Sequence, residues 1–492
     1  MKSVVMIAYN FPPEGNAGSF RPLRFVRHLP RMGWQPVVVT LATELYERHD
    51  PHLLAQVPAE VEVIRVRSRD PWLAFQERRA LRIQKKISSV PAEKAARMHK
   101  VQQSPLRSFL RQAIRKVEAW CYHPDHAMGW IRPAVASIVE LCARRGPSVI
   151  WATGAPWSSF IVAERASRLT GVPYVLDFRD SWTLVSDPVV DKRPVWATLA
   201  DRRTLYRLFK NAQAVIFRYE TEAECYWRAY PGALDTERIH IIPNGFDGIV
   251  DDFKTTSGEK CQILYSGTLA YYRYDTLLHA LSLLRERDKV RATRLRLVFV
   301  GEQSDRVYLE ADRLGLTDII VASPPVSHAE ILKLQQESDA LLMLEREPTM
   351  RGYELLAGAK LFSYLKAGRP IIGVLPDGEA KKILRRVGVS TIADVESPEE
   401  IVNVFDRVLR AWSEKSLSSL APNPIECAAF SAKRQVATLV RALERNLPVE
   451  PFIPGSADIP PSLRHKIGEK GLIKRMERAP SLARRQSNSA FS

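Results

Sequence analysis

Asp177, Arg179 and Asp180 follow an apolar segment, Val172–Leu176, in the sequence VPYVLDFRDSW. An apolar run of this length predicts a buried strand, and in open parallel sheets ligands bind beyond the carboxyl ends of the strands. Carboxylates beside a guanidinium group at such a place can position a hydroxyl or a phosphate. For Asp177, an internal ion pair with an arginine is an equally good interpretation, whereas Asp180 is the better candidate for chemistry.

The loop PPEGNAGSFRPLR is a second candidate, because Gly15 and Gly18 lie directly before a predicted helix. Glycines let backbone N–H groups approach a ligand closely, and a helix N-terminus favours anionic groups. Arg21 and Arg24 are unfavourable for the helix dipole at this place, but a phosphate facing them would offset that cost. The glycine patterns of dinucleotide-binding and P-loop proteins are both absent, so an ordinary strand-to-helix turn explains the glycines equally well.

Three further segments combine glycine with turn or basic residues. HIIPNGFD, residues 240–247, contains a Pro-Asn-Gly turn signal. YSGTLAYYR has Gly267 after a predicted strand and Arg273 six residues later, and GAKLFSYLKAGRPII has Lys360 in the first turn of a predicted helix. A single basic residue is usually solvated, but several at the carboxyl ends of strands in one domain favour pyrophosphate binding.

Alternating strands and helices must position these residues. The expected strands of the first half are Ser3–Ala8, Pro36–Thr40, Val61–Val66, Val149–Ala152, Pro173–Asp177, Ala214–Phe217 and Ile239–Ile242. Those of the second half are Gln262–Tyr265, Leu295–Val300, Ile319–Ala322, Ala340–Leu344 and Pro370–Val374. Helical spacing lies between them, which predicts two successive α/β domains with parallel sheets and a boundary near residue 250.

The composition is that of a globular protein: 492 residues, of which 46% are hydrophobic and 26% are charged. Such a chain is long enough for two or three domains, each with its own core. Its five cysteines are scattered without a CxxC pair, which excludes zinc fingers and disulfide-rich scaffolds and fits a reducing cytoplasm. The sequence predicts neither a signal peptide nor a transmembrane helix.

The net charge of +17 is concentrated in two segments. Arg65–Lys116 has fifteen Lys and Arg against three Asp and Glu, and Pro461–Ser492 has eight against two, so the rest is near neutral. The second segment is rich in Ser, Pro and Arg and is predicted to be disordered. In the first, Leu106–Val117 has an apolar stripe and a basic face, which predicts either a helix on an anionic membrane or one packed on its own domain. Little aromatic interleaving and no recognised module speak against a nucleic-acid partner.

The order of these motifs resembles that of the family-4 glycosyltransferases of the GT-B class. FPPEGNAGSFRPLRFVRHLPRMGWQPVVVT, DFRDSW, PNGFD, YSGTL and KLFSYLKAGRPII follow the family's order over about residues 2–440, and the likeness is closest to bacterial members of surface-polysaccharide pathways. The resemblance implies two Rossmann-like, doubly wound parallel-sheet domains facing across a cleft. The implied parts are an acceptor domain at 1–247 with a basic insertion at about 67–130, a nucleotide-sugar domain at 248–424 and a crossover helix at 425–447. Residues 448–492 are predicted to be a basic, disordered tail.

The resemblance also implies an activity: transfer of a sugar from a UDP- or GDP-sugar to a saccharide or polyprenyl-linked acceptor, with retention and without metal or cofactor. It implies a cytoplasmic protein, and the basic amphipathic segment adds the inner face of the cell membrane as an expected anionic partner. The expected catalytic residues are Asp180, Asp177 and Arg179, and the expected acceptor-binding residues are Arg21 and Arg24. The expected donor-binding residues are Gly15, Gly18, Gly267, Thr268, Arg273, Glu354, Lys360 and Ser363.

The sequence departs from the family pattern at several of these positions. Thr268 stands where many members have a basic residue, and Arg179 stands where many have a histidine. Many members use two glutamates, eight residues apart, on the donor; these positions hold Leu355 and Ser363 here, with Glu354 adjacent to the first. Two alternatives therefore remain: a non-catalytic GT-B binding or scaffold protein of the same pathway, and a GT-B nucleotide-sugar epimerase.

Overall fold

The computed structural model describes residues 2–46, 49–69, 123–185, 195–254, 258–269, 274–344, 351–445, 452–455, 457–460 and 463. Arg273, the amphipathic segment Leu106–Val117 and most of both basic segments lie outside these residues, so the expectations placed on them stay predictions. Within the described ranges the chain forms two parallel sheets, one after the other along the sequence.

The first sheet has seven strands in the order β3-β2-β1-β4-β5-β6-β7. They are β1 (Lys2–Ile7), β2 (Trp34–Leu41), β3 (Glu62–Val66), β4 (Val149–Gly154), β5 (Tyr174–Phe178), β6 (Ala214–Phe217) and β7 (Ile239–Ile241). The strand order reverses between β1 and β4, and a crevice opens at such a switch point beyond the carboxyl ends of the strands. The loops that follow β1 and β4 flank this switch point, and the loop that follows β5 lies one strand farther along the same edge.

Helices cover both faces of the first sheet. They are α1 (Phe20–His28), α2 (Pro51–Leu54), α3 (Met128–Arg145), α4 (Ser158–Thr170), α5 (Val195–Asn211) and α6 (Glu220–Ala229). On one face, aromatic side chains from α3 to α6 form a large apolar cluster that includes Trp130, Phe160, Phe209 and Tyr226. On the other face, α1 contributes Phe25 and Val26 to a second cluster.

The second sheet has six strands in the order β10-β9-β8-β11-β12-β13. They are β8 (Cys261–Ser266), β9 (Leu295–Val300), β10 (Ile320–Ser323), β11 (Ala340–Leu344), β12 (Ile371–Val374) and β13 (Ile392–Ala393). The accompanying helices are α7 (Asp275–Arg287), α8 (Lys289–Thr293), α9 (Ser304–Arg313), α10 (His328–Glu337), α11 (Ala359–Ala367), α12 (Glu379–Arg386), α13 (Pro398–Ser413) and α14 (Pro424–Cys427). Strand order reverses again, here between β8 and β11.

These two sheets confirm the predicted doubly wound α/β class. All the strands expected from the sequence are present, with ends that differ by at most two residues. None of the described helices is both long and apolar enough to cross a membrane.

The last long helix, α15 (Ala432–Leu443), returns to the first sheet. Its Val436 and Leu439 are buried in the same apolar cluster as Phe25 of α1. The Gln213 side-chain amide, just before β6, donates hydrogen bonds to the carbonyl oxygens of Ala442 and Leu443. Helix α15 therefore belongs to the core of the first domain although it follows the second sheet in the chain.

The prediction of a disordered tail over 448–492 is wrong for part of its length. Phe452 and Leu463 lie in the apolar core of the first domain, at 5% and 0% exposure. The Gly455 amide donates a 2.8 Å hydrogen bond to the Glu224 carboxylate on α6. The tail is rich in Ser, Pro and Arg, and its few apolar residues are too widely spaced to show a periodic pattern. Burial of their side chains nevertheless suffices to anchor an irregular segment.

Candidate functional site

Arg21 and Asp177 form a buried ion pair that fastens α1 to the end of β5. The Arg21 guanidinium donates two hydrogen bonds of 2.7 and 2.8 Å to the carboxylate, and two more to the carbonyl oxygens of Ile242 and Pro243. The two side chains are 2% and 0% exposed, and Thr153 donates a further hydrogen bond to Asp177. Both groups are thus fully engaged inside the protein. For Asp177, the internal ion pair is therefore the interpretation that the structure favours. Arg21, which was expected to bind an acceptor, is likewise engaged inside the protein and braces the sheet edge.

Arg24 is also directed inward, to the connection between the two domains. Its side chain donates to the Gln435 amide oxygen at 3.2 Å and lies 3.9 Å from the carboxylate of Asp247, which Arg27 and His28 also contact. Burial lowers the pKa of Arg24 to about 10. Burial alone would raise the pKa of Asp247, but its contacts with His28, Arg24 and Arg27 lower it below its usual value. The expected acceptor role of Arg24 therefore has no geometric support.

The glycine loop lies directly against Arg179. A Cβ atom on Gly18 would lie 2.1 Å from the Arg179 Nη1 atom, and Gly18 donates its amide hydrogen to the Asn16 side chain at 2.8 Å. Arg179 also donates to the carbonyl oxygen of Ala155, and burial lowers its pKa although nearby carboxylates oppose the shift. Gly15 lies three residues earlier in the same loop. The structure thus brings the glycine loop and the loop after β5 together.

Replacing Gly18 by alanine is expected to displace the Arg179 guanidinium. A contact of 2.1 Å requires a shift, and because the Arg179 guanidinium is itself largely buried and hydrogen-bonded to Ala155, the overpacking is expected to cost about 1–3 kcal/mol of stability. Thermal unfolding of Gly18→Ala, Arg179→Ala and the double variant tests this. If the clash is with Arg179, the alanine at position 18 costs much less in the Arg179→Ala background; equal costs in both backgrounds would contradict it.

Asp180 is the accessible carboxylate on an anchored loop. Its side chain is 56% exposed and lies 3.8 Å from the guanidinium of Arg179. Two residues later, the indole of Trp182 stacks on Trp157 with centroids 5.1 Å apart and an interplanar angle of 3°. The backbone amide of Trp182 donates to the Tyr226 hydroxyl at 2.8 Å. The fixed backbone holds Asp180 at the strand-end crevice while its carboxylate faces solvent.

Arg218 is a residue that the sequence reasoning missed. It follows β6 and donates to the carboxylate of Glu222 and, at 3.0 Å, to the Ser181 hydroxyl next to Asp180. Burial alone would lower the pKa of Arg218, but the charge of Glu222 raises it above its usual value. An arginine at a strand end, with a glutamate four residues later on a helix, was a usable signal. Arg218 therefore helps to fix the backbone next to Asp180 through its hydrogen bond to Ser181.

In the second domain, Lys360 and Gly267 meet at the end of β8. The Lys360 ammonium donates a 2.6 Å hydrogen bond to the Tyr265 hydroxyl and lies 4.0 Å from the centroid of that ring. The Tyr265 hydroxyl in turn donates to the backbone carbonyl of Thr268 at 2.8 Å. A Cβ on Gly267, whose φ is +132°, would lie 3.0 Å from Lys360 Nζ. The absence of a side chain at position 267 thus leaves room for the ammonium group.

The N-terminus of α11 lies beside this lysine. Gly358 precedes the helix, and among the described residues no side chain caps it. Because the first turn of a helix has unpaired N–H groups and a positive dipole end, it favours an anion. Gly301, at the end of β9, packs so closely on Gly267 that a Cβ would lie 2.2 Å from the Gly267 carbonyl oxygen. The two glycines thus let the ends of β8 and β9 pack directly against each other beside Lys360.

Ser363 and Glu354 have different positions relative to Lys360. Ser363, one turn along α11, donates to the Lys360 carbonyl at 2.8 Å and accepts a hydrogen bond from the buried Gln335. Glu354 lies in a short 3-10 helix, Tyr353–Leu355, whose Leu355 is fully buried in the main apolar cluster of the first domain. The structure therefore groups Gly267, Thr268, Lys360 and Ser363, and places Glu354 on a segment that runs to the other domain.

Two contacts join the domains near their strand ends. The Phe20 ring at the start of α1 lies 5.6 Å from the His328 ring at the start of α10. The Thr221 hydroxyl on α6 donates a 2.7 Å hydrogen bond to the carboxylate of Glu379 on α12, and Lys382 donates to both. The Asp180 region and the Lys360 region therefore belong to two domains that contact each other. The contacting helices begin near the strand ends.

The arrangement has a definite chemical character. Lys360 and the α11 N-terminus can stabilise negative charge on a phosphate group, including charge that develops on a departing diphosphate. Asp180 can accept hydrogen bonds from hydroxyl groups, and Arg179 adds a cation beside it. Among the described residues, no group of three or more His, Cys, Asp and Glu side chains could hold a metal ion.

No protein-family model matches this chain, and no curated protein sequence matches it. Solved structures do. A glycosyltransferase from Rickettsia africae has a TM-score of 0.57 over 90% of this chain and 98% of that one. A sucrose-phosphate synthase from Thermosynechococcus elongatus has a TM-score of 0.54 over 90% and 99%, and the lipopolysaccharide outer core galactosyltransferase WaaB has 0.53 over 90% and 99%. Each is 12% identical to this chain. At that identity the likeness shows the fold, which is GT-B.

Proposed function

We propose that this GT-B protein is a glycosyltransferase that moves a sugar from a nucleotide-sugar donor to a saccharide or lipid-linked acceptor. The finer proposal is transfer with retention at the anomeric carbon, without a metal ion, in the synthesis of a cell-surface polysaccharide. The motif series in the family-4 order supports the finer proposal. The similarity to the glycosyltransferase structures above supports sugar transfer as the activity.

The observation that carries the proposal is that each of the two contacting domains holds a charged group of different character at its strand ends. In the second domain, Lys360 and the uncapped α11 N-terminus form a cationic strand-end site beside Gly267. In the first domain, Asp180 is held exposed beside Arg179 and Gly18. The first group suits a diphosphate and the second suits sugar hydroxyls, which are the two parts of a nucleotide-sugar.

In the proposed reaction, the bond between the anomeric carbon and the diphosphate oxygen breaks, and a bond to an acceptor hydroxyl oxygen forms on the same face. The nucleoside diphosphate leaves with the bonding electron pair, and its oxygen takes up the proton that the acceptor hydroxyl loses. Lys360 and the first-turn N–H groups of α11 stabilise the charge that appears on it, an effect largest in the transition state. Asp180 accepts hydrogen bonds from sugar hydroxyls and orients the reacting carbon.

Asp180→Asn is expected to lower turnover by about a hundredfold if this carboxylate touches the sugar in the transition state. The matched control is Asp235→Asn, which changes another exposed carboxylate of the same domain, paired with Arg238. Calorimetric titration with UDP- and GDP-sugars, followed by an assay of transfer to saccharide and polyprenyl-linked acceptors, gives the measurement. If wild-type protein neither binds nor consumes any nucleotide-sugar, the proposed function is wrong.

A non-catalytic GT-B binding protein is the second candidate, and one observation favours it. Leu355, at the first of the two glutamate positions, is buried in the other domain and unable to contact a donor. The same experiment separates the candidates. Donor binding without transfer indicates the binding protein, whereas conversion of the nucleotide-sugar to an epimer without acceptor indicates an epimerase.

The proposal also includes the cellular location of the protein and its membrane partner. We place the protein in the cytoplasm with a polyprenyl-linked acceptor at an anionic membrane. The support is the concentration of the +17 net charge in two segments of the sequence.

A further inference from the structure

Helix α5 has an apolar N-terminal half that is open to solvent. Val195 is 76% exposed, Trp196 45% and Leu199 47%. Because these positions lie within about 100° of one another on the helix, they form one surface patch. The buried face of α5 carries Leu205, Leu208 and Phe209, which already supply its contact with the core. Val195 and Leu199 are therefore additional to what this core contact requires, and Trp196 has one face in solvent while its ring lies 6.0 Å from the His123 ring.

The rest of this surface is basic. Arg202, Arg203 and Lys210 of α5 are exposed, as are Arg165 and Arg168 of the neighbouring α4. Each of the two helices contains one acidic residue, Glu164 in α4 and Asp201 in α5, and both are buried. Glu164 lies 3.5 Å from the Arg207 side chain and Asp201 lies 2.9 Å from His123. The α4–α5 surface thus presents cations without exposed anions of its own.

The apolar patch lies at the edge of the sheet where the candidate site opens. Helix α5 connects the parallel strands β5 and β6, so it runs back across the sheet, and its N-terminus lies at the carboxyl ends of the strands. Asp180 follows β5 at that same edge. A planar surface such as a membrane, bound to the apolar patch, would therefore lie at the same edge of the sheet as Asp180.

We propose that the exposed face of α5 is a docking surface for an anionic phospholipid bilayer. Val195, Trp196 and Leu199 form its apolar part, and Arg202 and Arg203 form its basic part. Tryptophan and aliphatic side chains enter the boundary between headgroups and acyl chains, while arginines contact the lipid phosphates. A second copy of the chain fits poorly, because two surfaces of the same charge would repel each other. Nucleic acid would use the arginines but gives no role to exposed valine and leucine.

The inference rests on the proposed function for the identity of its partner, the anionic membrane, and adds the surface that binds it; vesicle binding itself requires no sugar transfer. The test is flotation of the purified full-length protein with vesicles of phosphatidylcholine alone or mixed with phosphatidylglycerol. Wild type is expected to bind the anionic vesicles only. Arg202→Gln/Arg203→Gln is expected to bind them about 30-fold more weakly at low salt, with a shallower salt dependence. Trp196→Ala/Leu199→Ala is expected to lose roughly tenfold, with the salt dependence unchanged.

Two matched controls keep the result specific. Arg385→Gln/Arg386→Gln removes two adjacent exposed arginines of α12, and Leu309→Ala/Leu314→Ala removes an exposed leucine of α9 and the exposed leucine that follows the helix. Both should bind vesicles as wild type does, and thermal unfolding should be alike for all four variants because all eight side chains are exposed. Transfer to a water-soluble acceptor should be unchanged in the α5 variants.

Three results would overturn the inference: α5 variants that bind like their controls, wild type that binds neutral vesicles equally well, or tight salt-dependent binding to duplex DNA with none to anionic vesicles. Failure of the proposed function gives a different pattern. In that case wild type transfers no sugar in any assay, yet the difference between the α5 variants and their controls persists.

Discussion

Replacing Asp177 by alanine is expected to destabilise the first domain by about 3–5 kcal/mol. Removing one partner of a buried ion pair leaves the other as an uncompensated charge, which is the costly way to break such a pair. Arg21 would remain 2% exposed, with two carbonyl contacts but no carboxylate. Urea unfolding followed by tryptophan fluorescence measures the effect, since nine of the ten tryptophans precede residue 248.

Asp180→Ala is the matched control for stability, because it removes a carboxylate three residues later that is largely solvated. Its 3.8 Å pairing with Arg179 should contribute less than about 1 kcal/mol. A double variant, Arg21→Met/Asp177→Ala, should cost less than the sum of its single changes, since neither charge is then left alone. Equal shifts in the urea midpoint for Asp177→Ala and Asp180→Ala would show that the ion pair does not brace the sheet edge.

Replacing Lys360 by methionine is expected to lower kcat/KM for sugar transfer by about 10²–10³-fold. The ammonium group lies beside Gly267 at the N-terminus of α11, and a single donor to developing charge is worth this much in enzymes. Because that charge is largest in the transition state, kcat should fall more than donor affinity does. Methionine keeps most of the side-chain volume and removes only the charge.

Lys366→Met is the control for this change. Lys366 belongs to the last turn of the same helix and lies 3.9 Å from Asp251. Steady-state transfer kinetics and calorimetric donor titrations on both variants give the comparison. A Lys360→Met enzyme that behaves like Lys366→Met would remove Lys360 from the proposed donor site while leaving the fold assignment intact.

The sequence was sufficient for the architecture because the signals of its elements are local. Apolar runs such as Leu295–Val300 and Ala340–Leu344 became strands with the expected bounds. The two-residue strand Ile392–Ala393 escaped notice, since two residues carry no periodicity. The strand-end rule also drew attention to the loop after β5, where Asp180 is exposed on an anchored backbone.

The roles of individual charged residues followed from contacts between distant parts of the chain. Arg21 and Asp177 are 156 positions apart, and nothing near either one in the sequence marks the partner. Arg24 was expected to face a ligand, yet it contacts Asp247 and Gln435, which come from the domain connection and the returning helix. Charge alone does not distinguish a ligand-binding arginine from a structural one. An arginine whose guanidinium is already paired with a buried carboxylate of the protein has a structural role.

The sequence by itself determined that this is a two-domain, doubly wound α/β protein, and it located the loops at the strand ends. Only the tertiary structure decided which of their side chains remain available, since burial and pairing depend on residues hundreds of positions away. It left Asp180 and Lys360 at strand ends, engaged Asp177, Arg21 and Arg24 internally, and placed Phe452 and Leu463 in the core. The physical reason is that periodicity is set by neighbours along the chain, whereas desolvation and ion pairing are set by neighbours in space.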